Sequence, residues 1–364
     1  MFNNVYENKK VLVTGHTGFK GSWLCTWLLK LGAEVVGISK DIPTSPAMFE
    51  VLCLEKKIKH VKADIRAFDD VHALIELEKP DFVFHLAAQA IVSTSYSHPL
   101  DTVTSNILGT ANVLEALRVS NQKCTAIIIT SDKAYDNVEQ IWGYKENDAM
   151  GGKDVYSGSK GAAELVIKSY YHSFFKSDDS NVRLSIARAG NVIGGGDWAK
   201  DRIVVDAMIA WSKGVQVSVR SPNATRPWQH VLEPISGYLT LGERLHSNKN
   251  LSGEGFNFGP RSEQNRTVSE LLQTSCLHWN IGSDEAFTVT GDIKFHEAGL
   301  LKLNCDKALT YLHWNANLDF DETIRFTNEW YFDYYGEEEM LSKSLAQIQE
   351  YEEIAGQKGL SWTE

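Results

Sequence analysis

The chain has 364 residues, of which 43% are hydrophobic and 23% are charged; these ordinary globular proportions exclude a disordered or fibrous protein. Its formal net charge of −11 argues against general nucleic-acid binding, because a polyphosphate backbone requires a basic surface. Its five cysteines are widely spaced and include no CxxC pair, so we expect reduced thiols, with neither a disulfide framework nor a metal site.

A glycine-rich turn lies between the first predicted strand, residues 11–14, and the first predicted helix, residues 22–31. It contains Gly15, Gly18 and Gly21. Gly15 permits a tight turn, Gly18 lets the backbone approach a pyrophosphate, and Gly21 permits close packing of helix on strand. The helix amino terminus then offers N–H groups to phosphate. Three glycines also suit an ordinary turn, but the strand, turn and helix together favour a dinucleotide site.

The second predicted strand, residues 34–38, should end near the adenosine ribose of such a cofactor. An acidic residue there normally binds the ribose hydroxyls, whereas a basic residue suits a 2′-phosphate. The chain has Ser39, Lys40 and Asp41 at this point, so these residues leave the choice between NAD and NADP open.

Strands and helices continue to alternate along the chain. Further strands are predicted over residues 60–63, 82–88, 126–130 and 185–189, and helices over residues 67–78, 106–119 and 156–175. This alternation predicts an α/β fold with a Rossmann-type, doubly wound parallel sheet, because each crossover must cover one sheet face. The small residues Ala87 and Ala88 would let a cofactor lie against the backbone, although they also suit plain helix packing.

Polar residues cluster in sequence after the fifth predicted strand. Ser131, Asp132 and Lys133 follow it directly, where open α/β sheets bind ligands. Tyr156 and Lys160 begin the next helix and lie one turn apart on one face. The ammonium can lower the pKa of the phenol, which makes the phenol a usable base. Either pattern alone would suit exposed charges, but together with the glycine-rich turn they predict a catalytic group.

A smaller lobe is predicted after the sixth strand, where arginines and tryptophans are mixed. Guanidinium groups bind phosphate oxygens in pairs, and aromatic rings suit a nucleotide base. A helix over 232–245 and a strand over 255–260 are predicted to return to the sheet, and further helices cover 267–279 and 321–334. We therefore expect a Rossmann domain over residues 1–189 with a return segment near 232–260, and a discontinuous C-terminal substrate-binding lobe over 190–231 and 261–335.

The last residues, 336–364, form an acidic extension that suits either a peripheral helix or a mobile tail. No apolar run approaches the roughly 20 residues that span a bilayer. The first ten residues are polar and do not resemble a signal peptide. We therefore expect a soluble, cytoplasmic protein.

Six longer motifs carry a family resemblance. They are residues 14–24 (TGHTGFKGSWL), 43–46 (PTSP), 130–137 (TSDKAYDN), 156–161 (YSGSKG), 188–199 (RAGNVIGGGDWA) and 226–231 (RPWQHV). Through them, residues 8–330 resemble the extended short-chain dehydrogenase/reductases that act on nucleotide sugars, and among these the 4,6-dehydratases. The resemblance implies bound NAD and CDP-glucose as substrate, in deoxysugar biosynthesis such as that of lipopolysaccharide O-antigens.

The resemblance also implies catalytic roles. Tyr156 would accept the proton of the carbon 4 hydroxyl, Lys160 would hold the phenolate and the nicotinamide ribose, and Ser131 would bind the carbon 4 oxygen. Lys133 stands where dTDP-glucose dehydratases have a glutamate, so it would be the base that removes the carbon 5 proton. Asp132 would be the acid for the carbon 6 hydroxyl. These last two roles require opposite changes of protonation from those usual for aspartate and lysine.

Binding residues follow from the same resemblance. The implied cofactor contacts are Gly15, Thr17, Gly18, Phe19, Gly21, Ser39, Asp41, Asp64, Ile65, Leu86, Ala87 and Ala88. The implied substrate contacts are Asn191, Arg202, Arg226 and His230. A homodimer through the helices near 106–119 and 156–175 is implied as well.

Two other functions stay open. A nucleotide-sugar 4-epimerase uses the same Tyr156 and Lys160 oxidation but does not need the pair Asp132 and Lys133. A dinucleotide-sensing regulator without catalysis would need neither Tyr156 nor Lys160.

Overall fold

The computed structural model describes residues 1–290 and 300–364. The strands are β1 (Lys10–Thr14), β2 (Glu34–Ser39), β3 (Lys59–Lys62), β4 (Phe82–His85), β5 (Cys124–Ile129), β6 (Val182–Ala189), β7 (Val192–Ile193), β8 (Val217–Val219), β9 (Thr225–Pro227), β10 (Gln229–His230), β11 (Gly255–Phe258), β12 (Asn265–Thr267) and β13 (Phe287–Val289). The α-helices are α1 (Phe19–Lys30), α2 (Met48–Val51), α3 (Phe68–Glu78), α4 (Val92–Ser97), α5 (Pro99–Val103), α6 (Gly109–Ser120), α7 (Val155–Tyr170), α8 (Ile203–Trp211), α9 (Leu232–Ser247), α10 (Val268–Cys276), α11 (Asp306–Leu312), α12 (Phe320–Tyr335) and α13 (Met340–Gln357).

Seven parallel strands form the central sheet, in the order β3-β2-β1-β4-β5-β6-β11. The strand order reverses beside β1, which pairs with β2 on one side and with β4 on the other. In such sheets the crevice outside the carboxyl ends, at the point of reversal, is where ligands bind. The predicted doubly wound parallel sheet is confirmed.

Alternating side chains along the strands build one apolar core on each face of the sheet. Val11 and Val13 of β1 belong to the core that α1, α9 and α13 cover. Leu12 faces the opposite core, which α3, α6 and α7 cover. Both faces of these strands are buried, which explains the near-continuous apolar runs in the sequence.

Several element boundaries differ from the prediction. The first helix begins at Phe19 rather than at residue 22, because Gly18 in an extended conformation already serves as its N-cap. The fourth strand ends at His85, and residues 86–88 leave the sheet. The helix predicted over 106–119 begins at Pro99 and includes a π-helical turn, Thr104–Leu108.

After the first segment of the lobe, the chain returns to the sheet. Helix α9 packs on β5 and β6, and β11 adds to the sheet beside β6. The lobe contains α8, α10 and the strand pairs β9 with β12 and β8 with β13. The domain boundaries given above stay a prediction, and residues 291–299 of the 261–335 range lie outside the described residues.

The acidic extension is a packed part of the molecule, so the mobile-tail alternative is wrong. Helix α13 buries Tyr351 and Glu352 against the first helix, where Trp27 Nε1 donates to Glu352 Oε1 over 2.8 Å. Beyond it, the Trp362 ring stacks on Phe2 with 5.2 Å between ring centroids. In residues 1–290 and 300–364, no helix is both long and apolar enough to cross a membrane.

Candidate active site

A cavity of about 890 Å³ runs along the carboxyl ends of the parallel strands. Three groups of residues line it: the glycine-rich turn with the ends of β2, β3 and β4, the polar residues that follow β5, and the lobe segment that follows β6. The sheet thus brings together residues that are more than 100 positions apart in sequence, such as Gly15 and Tyr156.

The glycine-rich turn has the shape needed to hold a diphosphate. Gly15 has a φ of +74°, and a Cβ on it would lie 2.8 Å from the Ala87 backbone. A Cβ on Gly21 would lie 2.2 Å from the Gly15 carbonyl oxygen, so neither position tolerates a side chain. Helix α1 begins at Phe19, and its N-cap Gly18 has no side chain to accept from the first-turn N–H groups. These groups are therefore available to phosphate oxygens at the cavity wall.

At the end of β2, the predicted ribose contact Ser39 already has a partner. Ser39 Oγ lies 3.1 Å from His16 Nδ1, and His16 Nε2 lies 2.7 Å from His60 Nδ1. Burial, and then the neighbouring His60, lower the pKa of His16 to about 4, so this ring is neutral. The backbone carbonyl of Asp41 accepts from Thr17 Oγ1 over 2.7 Å, which ties this loop to the glycine-rich turn.

Charged side chains surround this end of the cavity in a small network. Arg66 donates to Asp64, and its Nη1 donates to Asp101 Oδ1 over 2.6 Å. Lys40 Nζ lies 4.0 Å from carboxylate oxygens of both Asp41 and Asp101. The carboxylates of Asp41, Asp64 and Asp101 therefore outnumber the two cations, Lys40 and Arg66, and leave an excess of negative charge. A 2′-phosphate would be repelled here, whereas the two hydroxyls of an unphosphorylated ribose would not.

Small and apolar residues complete this part of the cavity wall. Ile65, which follows β3, and Leu86, Ala87 and Ala88, which follow β4, all line it. Ala87 N donates to Thr14 Oγ1 over 3.0 Å, which fixes the wall against β1. Residues 86–88 lie beyond the strand, but the Leu86 N–H still donates to the Thr14 carbonyl of β1 over 3.1 Å.

All five predicted catalytic residues line the middle of the cavity. Ser131, Asp132, Tyr156 and Lys160 are buried, and Lys133 is half-buried. Ser131 Oγ donates to Asp132 Oδ1 over 2.9 Å and accepts from Lys133 N over 3.2 Å. Ser131 and the single turn Asp132–Ala134 that it caps therefore carry a hydroxyl, a carboxylate and an amine on consecutive residues.

Burial changes the proton affinities of the tyrosine and the lysine in opposite directions. Burial raises the pKa of Tyr156 to about 12, and hydrogen bonding from Ser131 opposes this rise. Burial lowers the pKa of Lys160 to about 8, and the negative charge of Glu164 opposes this fall. In this structure Tyr156 is therefore a phenol at neutral pH, and Lys160 is mostly an ammonium.

A buried ion pair holds the end of β5 and the turn that carries the predicted catalytic residues. Arg188 Nε donates to Glu164 Oε1 over 2.7 Å, and both side chains are almost wholly buried. Glu164 Oε1 also accepts from Thr130 Oγ1 over 2.6 Å, and Arg188 Nη1 donates to Tyr135 OH over 2.6 Å. Thr130 and Tyr135 flank residues 131–134, so the pair fixes both ends of this turn. Neither Glu164 nor Arg188 was predicted from the sequence, although Glu164 lies one helical turn beyond Lys160 on the same face.

A further lysine from the glycine-rich turn extends into the reaction zone. Lys20 Nζ donates to Tyr238 OH over 3.3 Å and lies 5.7 Å from the centre of the Tyr238 ring. Burial, and then the charges of Arg202 and Lys160, lower the pKa of Lys20 to about 8, whereas Asp132 opposes this fall. Lys20 was not among the predicted site residues, although a lysine inside a glycine-rich motif is a signal that the sequence offers.

The lobe end of the cavity carries most of the predicted substrate contacts. Asn191, Arg202 and Arg226 line it, and Arg202 Nη1 donates to Asp197 Oδ2 over 2.5 Å. His230 does not line the cavity, and its predicted contact with the substrate stays a prediction. Its ring is fully buried behind the glycine segment, against Phe326.

One carboxylate at the lobe end was not predicted. Asp206 lies in the first part of α8 and lines the cavity together with Arg220. Burial, and then the charge of Asp201, raise the pKa of Asp206, whereas Arg220 opposes this rise. Within residues 1–290 and 300–364, the Asp206 side chain makes neither a hydrogen bond nor an ion pair, so its oxygens are available to a ligand.

Comparisons with known proteins agree with the fold and show the family. A family model described as GDP-mannose 4,6 dehydratase matches residues 12–327. The CDP-glucose 4,6-dehydratase of Salmonella typhimurium is 43% identical over 351 residues, which cover 96% of this chain and 97% of that protein. Two solved structures share the fold. The dTDP-glucose 4,6-dehydratase of Streptomyces venezuelae, solved with NAD bound, has a TM-score of 0.77 and 19% identity, and the match covers 91% of this chain and 99% of that one. The UDP-glucuronic acid 4-epimerase of Bacillus cereus, in complex with UDP-glucuronic acid and NAD, has a TM-score of 0.76 and 22% identity, covering 90% and 100%.

Proposed function

The chain belongs to the GDP-mannose 4,6 dehydratase family, and we propose that it is the NAD-dependent enzyme that converts CDP-D-glucose to CDP-4-keto-6-deoxy-D-glucose. The observation that carries this proposal is the position of Asp132 and Lys133 in the same cavity as Tyr156 and Lys160. An oxidation pair beside an elimination pair is what a redox-neutral loss of water requires.

The cofactor part of the proposal is supported by the walls of the cavity. Gly15, Gly18, Gly21 and the start of α1 would hold the diphosphate, and Ala87 would lie against the nicotinamide half. The excess of carboxylates around Lys40 and Arg66 favours NAD over NADP. Bound NAD supplies a hydride acceptor for carbon 4 and later the hydride for carbon 6.

Oxidation at carbon 4 is the task of the first pair. Tyr156 first loses its own proton to the solvent, the Lys160 ammonium stabilises the resulting phenolate, and the phenolate then takes the proton of the carbon 4 hydroxyl. Ser131 hydrogen-bonds the same region and holds the carbon 4 oxygen in place. The buried ion pair of Glu164 and Arg188 holds the backbone that positions these side chains.

Loss of water is the task of the second pair. The carbon 4 ketone acidifies the proton on carbon 5, and Lys133 removes that proton. Asp132 protonates the carbon 6 oxygen as it departs as water. Afterwards Lys133 returns a proton to carbon 5. An epimerase needs neither step, so the two side chains would have no task in it.

The lobe end suits a nucleoside diphosphate. Arg202 and Arg226 provide guanidinium groups for the diphosphate oxygens. Asp206 provides an acceptor for the amino group of cytosine, which carries a hydrogen-bond donor where thymine and uracil carry an acceptor. A carboxylate at the base would therefore attract cytosine and repel the other two pyrimidines. The position of Asp206 supports CDP-glucose within the nucleotide-sugar class.

The assembly that we propose is a homodimer. Large apolar side chains are exposed along residues 99–120 and on α7, including Leu100, Leu108 and Leu165. Exposed apolar side chains on neighbouring helices are typical of an interface. Pairing of these helices with a second copy would bury them.

We place the enzyme in the cytoplasm. All five cysteines carry free thiols, which is typical of a reducing compartment. The substrate and the cofactor proposed here are metabolites of that compartment.

The direct test is product analysis with CDP-, dTDP-, GDP- and UDP-glucose side by side. We expect a 4-keto-6-deoxy sugar from CDP-glucose, at a rate well above that from the other three. A 4-epimer as the product would identify an epimerase instead. Absence of any sugar conversion, together with NAD binding, would favour the non-catalytic regulator.

A further inference from the structure

The buried ring of His85 at the end of β4 joins β1 to the helix α6. Its Nδ1 lies 2.7 Å from Thr14 Oγ1, and its Nε2 lies 3.0 Å from Thr110 Oγ1. All three side chains are buried, and the cavity lining that the structure describes does not include them. Burial, and then the charge of Lys160, lower the pKa of His85 to about 3, so the ring is neutral.

The other partners of the two threonines fix which nitrogen of His85 carries the proton. Thr14 Oγ1 accepts from the Ala87 N–H over 3.0 Å, so its own hydrogen is available to His85 Nδ1. Thr110 Oγ1 donates its hydrogen to the Asn106 carbonyl over 2.8 Å, so it accepts from His85 Nε2. Every donor in this network therefore has an acceptor when the neutral ring carries its proton on Nε2.

One end of the network holds the wall of the cavity that the proposed cofactor lies against. Ala87 and Gln89 both line the cavity, and the N–H of Ala87 is bound by Thr14. The N–H of Gln89 donates to Asn106 Oδ1 over 2.8 Å, and Asn106 Nδ2 donates to the Gln89 carbonyl over 3.1 Å. Side chains outside the cavity thus hold the backbone of this wall at two points.

The other end of the network holds the first turns of α7. Asn106 Nδ2 also donates to Ser159 Oγ over 2.8 Å, and Ser159 Oγ donates to the Tyr156 carbonyl over 2.7 Å. Asn106 lies in the π-helical turn Thr104–Leu108, and such turns are frequent at functional sites. The same buried network therefore contacts both the cofactor wall and the helical turn that carries Tyr156.

We propose that His85 is a positioning residue that acts through Thr14 and Thr110 to set the distance between the nicotinamide and the sugar carbon that Tyr156 serves. This role rests on the proposed dehydration. Hydride passes directly between two carbon atoms, and a misplacement of about 1 Å can lower such a rate about 100-fold. Loss of one hydroxyl from the network should therefore slow hydride transfer much more than it weakens binding.

Hydride transfer is measured on its own in a Lys133→Met background. By the proposed mechanism this variant stops before water loss, so the NADH formed with CDP-glucose reports the oxidation alone. Adding Thr110→Val, which keeps the shape of the side chain but removes its hydroxyl, should lower the rate about 10-fold or more. The dissociation constants of NAD and CDP-glucose should stay nearly unchanged. Thr110→Ser, which keeps the hydroxyl, should retain most of the rate.

The matched control is Thr327→Val. Thr327 is also buried, and its Oγ1 also donates to the carbonyl four residues earlier, over 2.8 Å, but it lies in α12 outside the network. The rate of NADH formation should therefore not change. An unchanged rate in Thr110→Val, an equal loss in Thr327→Val, or an equal loss in Thr110→Ser would overturn the positioning role.

The Thr14 side of the network provides a second pair of variants. Thr14→Val should slow hydride transfer as Thr110→Val does, and Thr14→Ser should not. This pair decides the question if Thr110→Val does not fold, and equal rates in the two Thr14 variants would overturn the proposal.

Nitrogen NMR of the imidazole rings tests the network without any sugar. At neutral pH the His85 ring, assigned by the signal that is lost in His85→Gln, should be neutral and carry its proton on Nε2. A proton on Nδ1 or a charged ring would overturn the network whatever the enzyme catalyses. If the Lys133→Met parent formed no NADH with CDP-glucose although the His85 ring had the expected tautomer, the proposed function would be wrong, and the positioning role with it.

Discussion

At the scale of single residues, burial decides the proton affinity of the groups that react. Tyr156 and Lys160 occupy the same cavity, yet burial raises the pKa of the phenol to about 12 and lowers that of the amine to about 8. The cause is the same, since burial disfavours whichever form is charged. At neutral pH the same burial therefore keeps the phenol protonated and brings the amine close to losing its proton.

The carboxylate at the lobe end gives a test of base specificity. Asp206→Asn replaces a group that only accepts hydrogen bonds with one that can also donate. We expect the preference for CDP over UDP to fall by about 10-fold or more, because a bond to a charged acceptor contributes about 1.5–3 kcal/mol. The measurement is the dissociation constant of each nucleotide diphosphate in the NAD-loaded enzyme.

The matched control for this test is Asp201→Asn. Asp201 also lines the cavity, but its carboxylate already accepts from Ser93 Oγ over 2.7 Å. This variant should leave the CDP preference unchanged. An unchanged preference in Asp206→Asn as well would remove Asp206 from base recognition.

The sequence predicted the residues that have a motif and missed those that do not. Tyr156 and Lys160 have a helical spacing, and the glycines have a fixed spacing before a helix, so both sites could be placed without coordinates. Asp206 lies in the cavity only because α8 packs beside β8, which no local pattern indicates. The family resemblance implied a substrate contact for His230, which stays a prediction; in the structure its ring lies against Phe326.

At the scale of elements, the end of β5 and the helix α7 act as one unit. The Glu164 carboxylate of α7 binds Thr130 at the end of β5 and Arg188 on β6. Both strands are therefore fixed to the helix that carries Tyr156 and Lys160. Buried ion pairs are costly to break, because the remaining charge stays buried without its partner.

We expect Arg188→Met to lower the free energy of unfolding by about 3–5 kcal/mol. Adding Glu164→Gln should recover part of this loss, because the uncompensated charge is then gone. The measurement is urea denaturation of the single and double variants.

Arg118→Met is the control. It breaks a surface pair with Glu115 and should change stability by no more than about 1 kcal/mol. Equal effects in both arginine variants would contradict the supporting role of the buried pair.

The elements were predicted best where both faces of a strand are buried. The strands β1, β2, β5 and β6 have near-continuous apolar runs, and their positions agree with the prediction within a few residues. The boundaries that depend on backbone geometry were not predictable in the same way. Gly18 begins α1 early because glycine can cap a helix without a side chain.

At the scale of the whole molecule, the C-terminal helix α13 packs beside α1 and α9 and completes the cover of their shared core. The buried carboxylate Glu233 of α9 accepts from the backbone N–H groups of Asn317 and Leu318 and from Tyr351 OH of α13. The positive charge of Lys358 favours the ionised form of this carboxyl group. One carboxyl group thus connects the sheet domain with two segments from the end of the chain.

The buried Glu233 carboxyl group should make the stability of the fold depend on pH. Burial raises the pKa of Glu233 from 4.5 to about 7. The contribution of Glu233 to the free energy of unfolding is therefore fully present below pH 4.5 and is lost as the pH rises through about 7. In this range Glu233 keeps its proton in the folded protein but has already released it in the unfolded chain. The loss is on the order of 3 kcal/mol. Glu233→Gln should remove this dependence in urea denaturation at pH values on either side of this range, whereas Glu353→Gln, at an exposed site on α13, should keep it. An identical pH dependence in Glu233→Gln and the wild type would contradict the assignment.

The proposed dimer is tested by light scattering. Leu165→Asp places a charge among the exposed apolar side chains of α7 and should give a monomer, because a buried unpaired charge is unfavourable in an interface. Leu277→Asp, at an exposed leucine of the lobe, should leave the dimer intact. Loss of the dimer in both variants, or in neither, would argue against an interface through α7.

The central claim is that this site oxidises carbon 4 and delivers the hydride to carbon 6 after water has left. CDP-glucose that carries deuterium on carbon 4 tests it most directly, with the product analysed by NMR. The proposed mechanism predicts a CDP-4-keto-6-deoxy sugar with the deuterium on carbon 6. In heavy water it also predicts a solvent deuteron on carbon 5, because the amine of Lys133 exchanges its protons with the solvent before the reaction. Recovery of the deuterium on carbon 4, with an inverted hydroxyl, would show an epimerase and would contradict this mechanism.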